Sequence, residues 1–194
     1  VQQFTVHTGT GMPLRRTDVD TDQIIPTRFV PYFSRTGYTN ALFADWRDDP
    51  GFVLNLPQYG GATILVAGND FGTGSSRESA VWAIQAAGFR VVLAPRFGDI
   101  FRGSSLMKGL LTVIVPENVI ARLWDEIEND PATAITVDLE RREVRTADIV
   151  QRFTLDDDVR ERLLTGRDAI AVTMRYEADI TAYERKRRPT PTTR

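Results

Sequence analysis

The sequence contains no cysteine and only one histidine, His7. The missing cysteines exclude disulfides and any thiolate ligation of zinc or an iron–sulfur cluster by this chain. They fit a cytoplasmic protein. The single histidine argues against a multi-histidine metal site or a histidine-based triad, so His7 reads as a surface or satisfied strand residue. An excess of charge of one sign is also missing: 24 Lys and Arg stand against 26 Asp and Glu, a net charge of -2. Nothing in that balance favours nucleic acid or a charged membrane surface. No apolar run approaches the roughly 20 residues of a membrane-spanning helix. The opening Val1-Gln-Gln-Phe-Thr-Val carries no signal-peptide pattern. The expectation is one globular domain over residues 1–188, with residues 189–194, basic and rich in Pro and Thr, as a disordered tail.

What is present centres on Ala67-Gly-Asn-Asp-Phe-Gly-Thr-Gly-Ser-Ser-Arg-Glu78. The apolar, β-branched run Ala62 to Ala67 leads into it and predicts a buried strand. Ala80 to Ala87 follows with helical spacing, and Gly88 stands at the C-cap position. A glycine-rich turn from strand to helix, here with Gly68, Gly72 and Gly74, can aim backbone N–H groups at an anion near a helix N-terminus. Ser75, Ser76 and Arg77 add two hydroxyls and a fork of donors suited to carboxylates. That combination points to an organic-acid site. Ser75-Ser76-Arg77-Glu78 also fits a capping box with Ser75 as N-cap, a purely structural role. A phosphate-binding P-loop is excluded because Ser75 stands where its lysine belongs. The dinucleotide fingerprint fails because Arg77 replaces its third small residue.

The rest of the chain alternates strand and helix signals. Phe4, Val6 and His7 form a short strand-like opening. Asp20 and Asp22 flank Thr21 in a turn that orders its own backbone through side-chain oxygens. Arg28 to Tyr38 is an aromatic loop able to fold over a ligand. Arg90 to Ala94 predicts a second buried strand, hence a parallel βαβ crossover. Arg96 to Gly103 reads as a short helix, and Ser104, Ser105 and Lys108 as a polar link to a third strand within Gly109–Val115. Pro116 opens a helix to about Glu128. Ile135–Leu139 and Val144–Thr146 read as a hairpin, Val150–Leu155 as a further strand, and Asp156–Leu164 and Asp168–Lys186 as helices.

These segments together resemble the small subunits of the 3-isopropylmalate dehydratase (isopropylmalate isomerase) family, within the aconitase superfamily. The marks are Thr17-Asp-Val-Asp-Thr-Asp-Gln-Ile-Ile-Pro26, Arg35-Thr-Gly37, Asp70-Phe-Gly-Thr-Gly-Ser-Ser-Arg-Glu78, Arg96-Phe-Gly-Asp-Ile-Phe-Arg-Gly103, Gly109-Leu-Leu111 and Ile180-Thr-Ala-Tyr-Glu184. The resemblance implies an α/β fold, a three-layer β/β/α swivelling domain with a parallel central sheet. It implies a large-subunit partner carrying a 4Fe-4S cluster, with no cofactor bound by this chain. The implied reaction isomerises 2-isopropylmalate to 3-isopropylmalate through isopropylmaleate, in leucine biosynthesis. Ser75 matches the family's catalytic base. Ser76, Arg77 and Arg35 match substrate-binding positions, and Asp22 matches the aspartate that orients site groups. Gly72, Thr73 and Gly74 would offer backbone donors to an oxyanion. Two positions depart from the family pattern: Ser79 stands for a histidine and Ser104 for an asparagine. They keep open a paralogue acting on another 2-hydroxy diacid, and a non-catalytic diacid-binding subunit.

Overall fold

Three apolar tetrapeptides form the middle of the protein, because β-branched and aliphatic side chains fill both faces of a pleated strand. They are β2 (Ile64–Ala67), β3 (Val91–Ala94) and β4 (Leu111–Ile114). The first two are buried at every position. The computed structural model describes residues 2–29, 38–75, 77–166 and 173–186, without the side chains of residues 39 and 175. Arg35, Ser76 and the expected tail at residues 189–194 lie outside the described residues.

The first strand, β1 (Val6–Leu14), is longer than its opening residues suggest and joins two kinds of sheet. Its second half, Gly11 to Leu14, pairs in parallel with β2, and β2, β3 and β4 continue in parallel. Its first half, Val6 to Thr10, pairs antiparallel with β5 (Ala134–Asp138). Beyond β5 lie β6 (Glu143–Arg145) and β7 (Val150–Arg152), also antiparallel. The seven-stranded order is β4-β3-β2-β1-β5-β6-β7. Burial along β1 follows this division. Gly11 to Leu14 are buried, and Val6 to Thr10 are exposed or half-buried. Parallel strands need cover on both faces, whereas antiparallel ones tolerate water on one. The α/β class and the parallel core are therefore as expected, with an antiparallel extension that the hairpin pattern foreshadowed.

Helix α1 (Thr21–Ile24) is one turn following β1. The crossovers carry α2 (Glu78–Ala86) and α3 (Asp99–Lys108), which pack side by side. Helix α4 (Glu117–Asn129) turns Val119, Ile120, Leu123 and Ile127 inward onto β1, β2 and β3. Each such side chain contributes about 2 kcal/mol on burial. Trp124 on the same helix donates its indole N–H to the Val66 carbonyl at 2.8 Å. Helix α5 (Asp157–Thr165) is capped by Asp156, whose carboxylate accepts from the amides of Asp158 and Val159. It ends at Gly166 in the left-handed region. Helix α6 (Glu177–Lys186) closes the described chain. Among the described residues no helix is long and apolar enough to cross a membrane.

Two helix starts differ from expectation. Helix α2 begins after Arg77, not Ser75, and Arg77 as N-cap makes no side-chain capping bond. The proposed box at Ser75 is therefore not formed. A capping box occurs instead at α1: Asp20 accepts from the Gln23 amide at 2.8 Å, and Gln23 returns a bond from the Asp20 amide at 2.9 Å. The polar link expected at Ser104 and Ser105 is absorbed into α3, which runs to Lys108 and stops at left-handed Gly109. Ser105 is fully buried, and its hydroxyl finds no partner among the described residues. Leaving such a group unpaired costs about 1–3 kcal/mol. Ser105→Ala removes that cost and improves helix propensity. We expect the unfolding free energy to rise by about 1 kcal/mol, read as a higher urea midpoint at unchanged slope.

Candidate functional site

The stretch after β2 is a turn stitched to two neighbouring segments. On one side runs the chain from Arg16 to Thr21. Gly68 donates to the Arg16 carbonyl at 3.1 Å, and Asp18 donates to the Asn69 carbonyl at 2.9 Å. Thr21 donates its amide to Thr73 at 3.0 Å and its hydroxyl to the Ser75 carbonyl at 2.8 Å. On the other side runs the segment after β3. Phe71 donates to the Arg96 carbonyl at 3.1 Å and accepts from Gly98 at 3.0 Å. The carboxylate of Asp70, itself at φ +56°, pairs with the Arg96 guanidinium across the same gap.

Two successive N–H groups of this turn, those of Gly72 and Thr73, converge on one oxygen, the carbonyl of Val19, at 2.7 and 3.3 Å. Such a pair can cradle an anion. Here the cradle is filled by the protein's own backbone. Gly72 and Thr73 therefore serve the fold rather than an oxyanion, a correction to the sequence expectation. Of the three expected donors, the amide of Gly74 is the one not spent on Val19. Gly72 has no freedom to change. Its φ is +78°, and an added Cβ would sit 2.3 Å from the Phe101 ring. That ring stacks with Phe97 and meets Phe71 edge-on, so it cannot retreat cheaply. Gly74, at φ +83°, has its nearest neighbour at 3.5 Å.

The turn delivers Ser75 to the surface as an exposed residue with its carbonyl held by Thr21. Arg77 follows. Its Nη1 contacts the Asp22 carboxylate at 2.5 Å and donates to the Thr27 hydroxyl at 3.2 Å. Thr27 in turn donates to Asp22 at 2.9 Å, closing a triangle. The Arg77 side chain is only 20 % exposed, against 55 % for Asp22, so the guanidinium is the more firmly seated partner. Only its Nη1 is committed among the described residues. The remaining edge of the fork can take a carboxylate. Ser75, Arg77 and Asp22 are thus brought together, while Ser76 and Arg35 lie outside the described residues. Ser79 occupies the first turn of α2, as expected, and is buried. Ser104 sits within α3.

Three residues of this neighbourhood were not singled out for it: Thr27, Asp70 and Arg96. A hydroxyl just after Pro26 gave Thr27 little signal, and the Asp70–Arg96 pair joins two distant loops. His7 is elsewhere, near the start of β1, with its Nε2 2.7 Å from the Thr63 hydroxyl. Partial burial and the nearby Arg90 charge lower its pKa below the usual 6.5. Among the described residues no group of three or more His, Cys, Asp or Glu side chains is placed to hold a metal ion.

The family model of the aconitase C-terminal domain matches residues 1–118, and the LeuD_N model matches residues 121–157. The 3-isopropylmalate dehydratase small subunit of Acidothermus cellulolyticus is 59% identical over 196 residues, covering 100% of this chain and 99% of that protein. Its counterpart from Thermobifida fusca is 58% identical, covering 97% of each chain. A crystal structure of a 3-isopropylmalate dehydratase chain from Methanocaldococcus jannaschii superposes with a TM-score of 0.65. It is 22% identical and covers 92% of this chain and 99% of its own, a likeness of fold.

Two outcomes follow from the geometry. Gly72→Ala is expected to destabilise the chain by about 3 kcal/mol, combining left-handed strain with a clash. Gly74→Ala is expected to cost about 1 kcal/mol, since it meets the strain alone. Urea denaturation of both variants distinguishes them. For His7, a folded pKa below the unfolded one means that the folded state resists protonation. Its stabilisation is present above pH 6.5 and is lost as pH falls through the lower folded value. The urea midpoint measured between about pH 7.5 and 5 should decline less in His7→Gln than in the parent.

Proposed function

This chain belongs to the family of 3-isopropylmalate dehydratase small subunits, and on that footing we propose that it is one half of a heteromeric hydro-lyase of leucine biosynthesis. The other half is a large subunit. The reaction removes water from 2-isopropylmalate and returns it with the hydroxyl on the neighbouring carbon, through isopropylmaleate. The observation that carries this reading is an exposed Ser75 two residues before an Arg77 fork already oriented by Asp22 and Thr27.

Elimination requires a base to take a proton from the carbon next to a carboxylate. We assign that role to Ser75, acting as an alkoxide. A free serine is far too weakly acidic, so its oxyanion needs nearby positive potential. Arg77 supplies a full charge, and the amide of Gly74 supplies a donor. The free edge of the Arg77 fork holds a substrate carboxylate and offsets charge on the developing carbanion. Asp22 and Thr27 fix the angle of that fork. Ser76 and Arg35 complete the substrate contacts in this reading. Departure of the hydroxyl calls for a Lewis acid, which we assign to a 4Fe-4S cluster carried by the large subunit. The absence of cysteine from this sequence agrees with that division of labour.

Ser75→Ala in the assembled complex tests the base. Because the side chain is exposed, assembly and stability should be unchanged while turnover falls about a thousandfold. Unchanged turnover would remove Ser75 from the mechanism. Arg77→Lys keeps the charge but loses the fork, so KM for the diacid should rise about tenfold or more.

A further inference from the structure

A cavity of about 410 Å³ opens where β1 ends. It is lined by Pro13 to Arg16, by residues between Asp49 and Tyr59, and by Glu128 of α4. No residue of the 68–77 turn lines it. Its size falls in the range of small-molecule sites. Leu14 and Phe52 are buried, and with Val53 and Leu56 they make an apolar floor.

The polar lining has a specific composition: two arginines and two carboxylates. Half of these charges are already spent. Arg15 reaches Glu128 at 2.7 Å and Asp125 at 2.6 Å, so Arg15 and Glu128 are already engaged at one wall, in a cluster that with Asp125 carries one net negative charge. Arg16 and Asp49 are different. Among the described residues no carboxylate lies within ion-pair distance of Arg16, and no cation within that distance of Asp49. The Arg16 guanidinium lies 4.1 Å from the centroid of the Trp46 ring and 5.7 Å from that of Phe52. Trp46 is itself stacked on buried Phe43. Stacking occupies the face of the guanidinium and leaves its N–H edge to meet a carboxylate. Asp49 is held by the Gly51 amide at 2.8 Å, which fixes its carboxylate without neutralising it.

We propose that this cavity binds a neutral α-amino acid with an aliphatic side chain. Arg16 takes the α-carboxylate, Asp49 takes the α-ammonium, and the side chain rests on Leu14, Phe52, Val53 and Leu56. One unspent cation and one unspent anion above an apolar floor match a zwitterion. A diacid would meet repulsion from Asp49. A simple aliphatic acid would leave Asp49 unmatched. This site is separate from the Ser75 turn, and its occupancy is measured without reference to turnover.

Isothermal titration calorimetry of the full chain with leucine tests it. Saturable binding is expected, with 4-methylpentanoate, which lacks the ammonium, and leucinamide, which lacks the carboxylate, each weaker by about tenfold. Arg16→Gln and Asp49→Asn should each weaken leucine by about tenfold, with the urea midpoint of Asp49→Asn unchanged. Three outcomes each overturn the proposal: no saturable binding of leucine, 4-methylpentanoate binding as tightly as leucine, or both variants keeping the parent affinity.

Discussion

The carbonyl of Val19 holds two amides of the turn after β2, and most of the site depends on that bond pair. A glycine-rich turn free in water samples many conformations, and fixing each residue costs about 1–2 kcal/mol. Here the cost is met by rungs on both flanks, from Arg16 to Thr21 and from Arg96 to Gly98. The left-handed residues Asp70 and Gly72 let the backbone meet both neighbours within a few residues. The buried Phe71, Phe97 and Phe101 rings close the underside. Ser75 and Arg77 inherit a fixed position from this frame.

The same frame explains the division of roles at the site. Two backbone donors that look available in sequence, Gly72 and Thr73, are bonded to Val19, so the proposed charge handling rests mainly on side chains. In the proposed reading Arg77 carries it, and the Asp22–Thr27 pair holds its fork in place. Pre-orientation of this kind lowers the entropy that substrate binding must supply. In the proposed reading Ser75 is the base and Arg77 the carboxylate clamp, and the rest of the chemistry is assigned to a large subunit.

Much of this architecture was legible in the residues. Apolar β-branched runs marked β2, β3 and β4, and spacing marked α2 and α4. Charge around Arg141 and Arg142 marked the β5–β6 hairpin. Boundaries were less legible where tertiary contacts outweighed local chemistry. Ser75 looked like an N-cap, but Gly74 in the left-handed region and the Thr21 bond carry the turn two residues further. Ser104 and Ser105 looked like a link, but α3 continues through them and buries one hydroxyl. The β1 strand was read from three residues, because Gly9 and Gly11 resemble turn signals. Of the candidate site, Ser75 and Arg77 were singled out from motif chemistry and Asp22 from the family resemblance, and the structure sets Asp22 against Arg77. Thr27 and the Asp70–Arg96 pair were not singled out, since contacts between distant loops leave no periodic trace.

Turnover after mixing this chain with its organism's cluster-loaded large subunit tests the functional reading most directly. The ultraviolet absorbance of the unsaturated diacid reports it, with isopropylmalate offered beside citramalate-type and longer-chain analogues. Turnover of isopropylmalate that requires both chains, and exceeds that of the analogues, is the expected result. A complex that assembles with an intact cluster yet leaves isopropylmalate unchanged would contradict it. In that event Ser79 is the first position to restore to histidine.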